Sequence, residues 1–273
     1  MMKKRAAQAG KYIVCIILSL IVLLPFYMVL INSFKTKGQA AKMSLAFPEV
    51  WRFDNYLHVI DQGKLVTGFV NSMTYAFVAT TVGVVGCAMA AYVMSRNRTR
   101  LHRLLYYFTI CGLFFPVNYV TLVNVMTVLG LHNTKAGIIS VFIGAMVPFC
   151  IFTIYSFVSA IPSELDEAAI IDGAGPVSLF FRVIFPLMKP TVVTCYILQF
   201  MGVWSNFLTP LYLSNSSRLS PMTMSVYQFF GKNQNQWQYI FADIILTIIP
   251  VIIVYAIGQR YMISGMTSGA VKQ

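Results

Sequence analysis

The sequence predicts an all-α membrane protein that crosses the bilayer six times. Of its 273 residues, 58% are hydrophobic and only 10% are charged, whereas roughly 25% are charged in an ordinary soluble domain. So few charges leave too little polar surface to cover a soluble fold, and the high hydrophobicity excludes a disordered chain. Uncharged stretches recur along the chain, each long enough to hold a helix of ~20 residues, which is the length that spans a bilayer.

These uncharged stretches place the spans. The first, 12–31, follows a basic N-terminus and is too long for the core of a signal peptide, so we expect it to be retained. The next four spans lie within 65–95, 104–134, 136–163 and 190–217. Only 16 uncharged residues separate Asp243 from Arg260, or ~24 Å of helix against a core of ~30 Å. The sixth helix must therefore begin earlier, near 237–239.

The Lys and Arg residues predict that both termini lie in the cytoplasm. One basic cluster precedes the first span, and a second follows the second span, made of Arg96, Arg98, Arg100 and Arg103. In a soluble protein the net charge of +12 would suggest nucleic acid. In a membrane protein, basic loops that face anionic membrane lipid explain it, so we expect no nucleic-acid partner. The chain is read as one transmembrane domain, 1–273, with its core at 66–260.

The cysteines are predicted to be small buried hydrophobic residues, neither disulfides nor metal ligands. All five lie inside apolar runs without a CxxC pair: Cys15, Cys87, Cys111, Cys150 and Cys195. The three histidines are far apart in the sequence, so no metal site is expected.

Small residues at intervals of four predict close helix packing by the second span. One ridge is formed by Ala79, Gly83 and Cys87, and another by Gly86 and Ala90. Such spacing lets the backbones of two helices approach closely.

The inner loop 161–190 is the most distinctive segment. It holds four of the chain's eight carboxylates within nine residues: Glu164, Asp166, Glu167 and Asp172. Ser163, with Asp166 three residues later, predicts a capping box at the start of a helix. The acids then occupy its first turn, where the helix dipole favours negative charge.

Gly173 is predicted to end this helix, and Pro176 to begin a second one. We expect Pro186 to end the second helix and Pro190 to begin the fifth span. The loop is therefore predicted to be a helix–turn–helix outside the membrane, whose small-residue face enters a cleft on another protein. The alternative is an amphipathic helix resting on lipid, but acidic residues suit an anionic leaflet poorly.

The loop resembles the EAA motif of binding-protein-dependent ABC importer permeases. The resemblance is carried by Glu167-Ala168-Ala169, Gly173 and Val183-Ile184-Phe185-Pro186 at the family's spacing. Val183 and Phe185 depart mildly from the usual Ile-x-Leu-Pro ending. Other stretches are similar to the carbohydrate-uptake branch, in particular the small permease subunit of maltose-type systems: Asn71-Ser72, Ala91-Tyr92, Asp172-Gly173-Ala174, Trp204, Pro210-Leu211 and 265–272. Ser205 departs from that branch, in which Asn follows the Trp.

The resemblance implies a type I ABC importer permease fold with six helices and a cytoplasmic coupling helix, located in the bacterial inner or plasma membrane. It implies four partners: a second homologous permease, two copies of a cytoplasmic ABC ATPase, an extracytoplasmic sugar-binding protein and the sugar itself. It also implies that the ATPase contacts the EAA loop and, within the cytoplasmic tail 260–273, residues 264–273. The loop residues concerned are Glu164, Asp166, Glu167, Ala168, Ala169, Asp172, Gly173, Ala174 and Pro186.

No cofactor is expected on the chain itself. The sequence contains no G-x-x-x-x-G-K-[ST], so it lacks the loop that cradles the phosphates of ATP in that class of site. ATP and Mg are expected on the partner ATPase, and the energy must enter through a contact with it.

Polar residues in the fifth span predict either a sugar path or hydrogen bonds between helices. Gln199, Asn206 and Thr209 share one face with Gly202, and Trp204 lies nearby. Asn118 in the third span is a candidate for the same reason. The outer segment 215–238 is either a hydrated loop or, by the resemblance, a contact for the binding protein, through Arg218, Lys232, Asn233 and Asn235.

An ion-coupled secondary transporter of a small polar solute is the alternative function. Such transporters use several ionisable groups within the membrane, but Asp243 is the only acid near a span, and we expect it to be a solvated helix start. An intramembrane enzyme is disfavoured because H-E-x-x-H and G-x-S-x-G are absent. The sequence therefore predicts a non-enzymatic permease subunit of an ATP-driven importer of mono- or oligosaccharides.

Overall fold

The computed structural model describes residues 2–97, 99–231 and 235–270, with side chains at 10–97, 99–231 and 235–259. Throughout these residues the regular structure is helical, with no strand. The α-helices are, in chain order, α1 Met2–Ser33, α2 Lys37–Ala40, α3 Asp54–Gln62, α4 Leu65–Arg96, α5 Arg100–Cys111, α6 Tyr119–Val128, α7 Lys135–Val158, α8 Glu164–Ile171, α9 Pro176–Ser178, α10 Phe185–Leu187, α11 Lys189–Ser205, α12 Leu208–Leu213 and α13 Trp237–Ala270. A π-helix, Leu179–Ile184, links α9 to α10, and 3₁₀ turns cover Ser217–Leu219 and Met222–Phe229.

Four of the described helices are long and apolar enough to cross a membrane: Gly10–Ser33 within α1, α4, α7 and Trp237–Gln259 within α13. A fifth span results if Pro176–Leu187 and α11 count as one, although they meet at a bend of 80°. The first, second, fourth and sixth predicted spans are thus confirmed, and the sixth begins at Trp237 as expected. The backbone of α13 is helical to Ala270, so much of the predicted tail continues this helix.

The third predicted span is not a single helix, so the described residues do not confirm the count of six helices exactly. It is divided into α5 and α6, which are ~18 Å and ~15 Å long at 1.5 Å per residue, and residues 112–118 lie between them. Pro116 lies in the break. A proline has no N–H to donate and disfavours helical backbone at the residue before it. Asn118 then begins α6, where its side chain accepts a hydrogen bond of 3.1 Å from the backbone N–H of Thr121.

The fifth predicted span is also interrupted. Helix α11 ends at Ser205, and Asn206 has extended backbone with φ −81° and ψ 113°. In a continuous helix, the ring of Pro210 would collide with the carbonyl of Asn206, four residues earlier. The break therefore follows from the position of Pro210, which lies inside the short helix α12.

The chain folds as two compact units. The first comprises Met1–Val66 and Met224–Pro250, and the second comprises Thr67–Thr223 and Val251–Gln273.

Helix α4 packs on α7 in the second unit through one of the two predicted ridges. Ala79 and Cys87 are buried, and a Cβ added to Gly83 would collide with the side chain of Met146 on α7. The other ridge does not pack in this way, because Gly86 is exposed and has no atom within 4 Å of where a Cβ would lie. The prediction of close packing is therefore correct for the first ridge only.

The cysteine prediction is correct for three of the five residues. Cys87, Cys150 and Cys195 are buried on α4, α7 and α11, and the thiol of Cys150 contacts both of the others. Cys15 and Cys111 are exposed, because no other described part of the chain covers their faces of α1 and α5. All five are free thiols.

The stretch after α1 in the first unit is held by buried polar side chains. Lys35 is 1% exposed, and its ammonium donates to Asn32 Oδ1 (3.0 Å) and to the carbonyl and hydroxyl oxygens of Ser44 (2.7 and 3.0 Å). Asn55 Nδ2 donates to the carbonyl oxygens of Ser33 and Lys35 at 2.8 and 3.0 Å. These bonds fix the start of α3 against the end of α1.

Asp243 is not the solvated helix start that we expected. It is 1% exposed and accepts a hydrogen bond of 2.6 Å from the Ser225 hydroxyl. Helix α13 begins at Trp237, as expected, but Asp243 in its second turn faces the interior of the first unit, where the Ser225 hydroxyl lies beside it. The pair connects the 3₁₀ segment Met222–Phe229 to α13.

Candidate functional site: the segment 161–190

Helix α8 ends as the sequence predicts. Gly173 has φ +84°, in the left-handed region that favours glycine. Its N–H donates to the Ile170 carbonyl (3.0 Å), and the Ala174 N–H donates to the Ala169 carbonyl (2.9 Å). These two bonds are those of a Schellman motif, which satisfies the last carbonyls of a helix. The turn sets the direction in which the chain leaves α8.

The start of α8 differs from the predicted capping box. The Ser163 side chain makes no capping hydrogen bond, and the Asp166 N–H bonds to the Ser163 carbonyl instead. The Asp166 carboxylate faces inward, and the residue as a whole is buried. It pairs with the Arg96 guanidinium and accepts a hydrogen bond of 3.0 Å from the Tyr92 hydroxyl. Because a full charge is available from Arg96, the carboxylate is used there and not at the helix terminus.

Arg96 also bonds the stretch that precedes α8. Its Nη1 donates to the Ile161 carbonyl (3.0 Å), and its Nη2 lies 3.4 Å from the Pro162 carbonyl. The aromatic ring of Tyr92 lies beneath the Arg96 guanidinium and contacts Phe180 from the π-helix, with ring centroids 5.7 Å apart. The end of α4 is therefore hydrogen-bonded to the stretch before α8 and packed against the π-helix that follows α9.

The opposite face of α8 and its flanks is exposed and mixed in character. It carries acids and a small residue, which are Glu164, Glu167, Ala168 and Asp172. Beside them lie Ile171 and Val177, which are 85% and 70% exposed. Ile170, four residues after Asp166 and so on the same side of α8, is also 60% exposed. Ala169 and Ala174 are half-buried at the edge of this face. Large apolar side chains that are exposed beside acids are typical of a surface that another protein covers.

The second helical part of the segment begins at Pro176 as expected, but it does not end at Pro186. Helical backbone continues through the π-helix to α10, which contains Pro186, and bends only before α11. This second part is anchored by apolar side chains that are 6% exposed or less, namely Leu179, Phe180, Ile184 and Met188. Pro190 lies in the first turn of α11, as predicted.

The comparisons with known proteins agree with this geometry. The model of one family, described as the inner membrane component of binding-protein-dependent transport systems, matches residues 82–268. This chain belongs to that family. It is a multi-pass component of an inner-membrane transport system and not an enzyme. The match includes both the segment 161–190 and the end of α4 that anchors it.

Curated relatives match the permease over nearly its whole length. It is 32% identical to the diacetylchitobiose uptake system permease protein of Streptomyces coelicolor, over 97% of this chain and 89% of the relative. It is 30% identical to the melibiose/raffinose/stachyose import permease protein of Bacillus subtilis, over 98% and 99% of the two chains. The permease thus belongs to the branch that the sequence indicated.

A solved structure shows the same fold. It is a bacterial ABC transporter involved in the import of the acidic polysaccharide alginate, which aligns with a TM-score of 0.85 at 22% identity. The alignment covers 96% of this permease and 98% of that chain. The permease therefore has an ABC importer permease fold.

The structure places the predicted path residues around the break after α11. Gln199 and Asn206 are half-buried, whereas Trp204 and Thr209 are 1% and 4% exposed. Asn206 Oδ1 accepts a hydrogen bond of 2.9 Å from the Thr209 N–H and so caps α12. The predicted stripe of Gln199, Gly202, Asn206 and Thr209 does not lie on one helix, because the backbone is extended at Asn206. Asn118 is exposed at the start of α6.

The Trp204 indole packs against aromatic rings of its own chain. Its ring centroid lies 5.9 Å from Phe69 and 6.3 Å from Phe200. In this conformation the indole is a core side chain, so sugar stacking on it requires a rearrangement.

The predicted outer contacts are only partly described. Arg218 is exposed and Asn235 is half-buried, while Lys232 and Asn233 lie outside the described residues. Among the residues that the structure describes, no group of three or more His, Cys, Asp or Glu side chains could hold a metal ion.

Sequence reasoning missed two residues of the segment's support. Arg96 was read only as an orienting charge, and Tyr92 only as part of a family resemblance. Neither is near the segment in sequence, and no local pattern indicates that both converge on Asp166.

Proposed function

We propose that this permease imports a saccharide and is coupled to a separate ATPase through the exposed face of α8. The substrate class is supported by the relatives, which are named for uptake of diacetylchitobiose and of melibiose, raffinose and stachyose. The single observation that carries the coupling is that α8 is anchored by Asp166 on one side and exposes Glu167, Ala168 and Ile171 on the other.

In this proposal the chain forms half of the translocation path. A second, related permease forms the other half, two ATPase copies bind on the cytoplasmic side, and an extracytoplasmic binding protein delivers the sugar. Movement of the docked ATPase is transmitted from α8 through Asp166 and Arg96 to the end of α4. An ion-coupled mechanism lacks support, because Asp243 is the only acid within the apolar spans.

Docking of the ATPase tests the proposal. Ile171→Asp places a charge in the apolar part of the face, and Glu167→Lys reverses a charge at its edge. Both should reduce co-purification of the ATPase and sugar-stimulated ATP hydrolysis, and Glu167→Lys should do so more than Glu167→Ala. Glu49→Lys, a reversal at an exposed residue of the first unit, is the matched control. Wild-type association in both Ile171→Asp and Glu167→Lys would refute the coupling role.

The orientation is tested by labelling. Arg100 and Asn235 are replaced singly by cysteine in a cysteine-free permease, and intact cells are treated with an impermeant maleimide. Asn235→Cys should react and Arg100→Cys should not, because the basic cluster after α4 faces the cytoplasm. Labelling of Arg100→Cys in intact cells would reverse the proposed orientation.

A further inference from the structure

The first unit contains a polar cavity whose lining includes none of the residues assigned a role in the proposed function. Its volume is about 500 Å³, within the range of small-ligand sites. It is bounded by the stretch that follows α1 and by the beginning of α13. The groups that line it include Lys37, Arg52, Asp54, Gln236, Gln238 and Tyr239.

Gln238 is the unusual member of this lining. Its side chain is 6% exposed, and its Oε1 has no hydrogen-bond partner among the described residues. A buried acceptor that is left without a donor costs roughly 1–3 kcal/mol, and native structures contain few such groups. Gln238 lines the cavity, and a rotation of its shielded amide toward the cavity would let a donor group of a ligand satisfy Oε1.

The walls of the cavity are held in place without a ligand. Asn55, also on the lining, is bonded to the carbonyls of Ser33 and Lys35, and the Arg52 N–H donates to the Phe34 carbonyl at 2.8 Å. The ring of Tyr239 stacks on His58 with a centroid distance of 4.2 Å. A preformed site of this kind binds without the cost of ordering its walls.

The mixed donors and acceptors define the chemistry of the ligand. Lys37 and Arg52 donate, while Asp54 and Gln238 Oε1 accept. Arg52 and Asp54 are 3.9 Å apart with side chains 50% and 68% exposed, and so weak a pair leaves both free to bind. A simple anion would meet Asp54 and leave Gln238 without a donor, and a simple cation would be repelled by Lys37 and Arg52. A hydroxyl group donates and accepts at once.

We propose that this cavity is a saccharide-binding subsite, separate from the residues around the break after α11. It holds a neutral, hydroxyl-rich ligand through Gln238, Lys37 and the Arg52–Asp54 pair. The inference rests on the proposed function, because the proposed orientation places residues 34–66, and with them the cavity, on the outer side of the membrane. A sugar held there would be bound before it enters the translocation path.

Saturation-transfer NMR with raffinose tests the subsite. The complete transporter is reconstituted in nanodiscs without the binding protein, and raffinose is titrated onto it. Gln238→Leu removes the acceptor at nearly constant volume, and Lys37→Ala removes an exposed donor that is not needed for folding. Each should weaken binding, by about tenfold for Gln238→Leu. Gln62→Leu, an exposed glutamine of the same unit outside the cavity, should bind as wild type does.

The outcomes separate this inference from the proposed function. Equal raffinose binding by wild type, Gln238→Leu and Lys37→Ala would overturn the subsite even where uptake with the binding protein is normal. Displacement of raffinose by inorganic phosphate at equal concentration would overturn the saccharide assignment. Absence of ATP-dependent uptake of any saccharide by the wild-type complex would instead refute the proposed function.

Discussion

The guanidinium of Arg96, in the last turn of α4, forms an ion pair with the carboxylate of Asp166, in the first turn of α8. The two side chains are 19% and 11% exposed, so the pair is largely shielded from water. Tyr92 and the carbonyl of Ile161 supply further hydrogen bonds. The pair is thus the direct connection between the proposed coupling helix and a membrane-spanning helix.

Breaking this pair should uncouple the transporter. Asp166→Asn leaves the Arg96 charge without its partner, and Arg96→Ala leaves the Asp166 charge, which costs roughly 3–5 kcal/mol in fully buried pairs and less here because some water reaches the site. We expect ATP hydrolysis to continue while sugar uptake falls strongly. The measurement compares the two rates in proteoliposomes.

The double variant Arg96→Asp with Asp166→Arg supplies the control. If attraction between the side chains is what matters, the exchange should restore part of the uptake that either single change abolishes. Uptake that stays at wild-type level in Asp166→Asn would show that the pair does not transmit movement.

The left-handed turn at Gly173 should not tolerate a side chain. A Cβ there would meet no atom within 4 Å, so the cost comes from the backbone alone and is about 1–2 kcal/mol at φ +84°. Gly173→Ala should therefore lower the melting temperature of the purified complex and weaken ATPase association. Gly175→Ala is a matched control, since Gly175 has φ −73° and equally open surroundings. Equal effects of the two changes would contradict this explanation.

Asn206 should be needed as the cap of α12, whether or not it also lines a sugar path. Asn206→Leu removes the acceptor of the Thr209 N–H and should destabilise the permease by ~1 kcal/mol, whereas Asn206→Asp keeps it. Thermal unfolding in detergent measures both. An uptake defect in Asn206→Asp, with normal stability, would indicate contact with the substrate; equal stability of all three proteins would show that the cap is unimportant.

The close approach of α4 to α7 should make Gly83 intolerant of a larger residue. A methyl group there would collide with the Met146 side chain, and overpacking of a tight core costs typically 1–3 kcal/mol. We expect Gly83→Ala to reduce the yield of folded permease after detergent extraction. Gly86→Ala, three residues away in open space, should not. A normal yield of Gly83→Ala would mean that Met146 moves aside at little cost.

Much of this protein could be predicted from sequence because its strongest signals are local. Low charge and long apolar runs determined the membrane class and the positions of α1, α4, α7 and α13, since a bilayer requires ~20 apolar residues whatever else the chain does. The glycine at 173 determined the end of α8 because only a glycine adopts that turn without strain. The spacing around it indicated the family, which the comparison confirmed.

Only the tertiary structure decided how polar side chains are used. Asp166 looked like a helix cap and Asp243 like a solvated helix start, yet both are buried against partners distant in sequence, Arg96 and Ser225. Two predicted spans are broken helices. The apolar run that signals a span continues through Pro116 and Pro210, so hydrophobicity alone does not show that the helix breaks near them. A buried charge or amide is stabilised by whichever group lies beside it after folding, and local sequence carries no record of that neighbour.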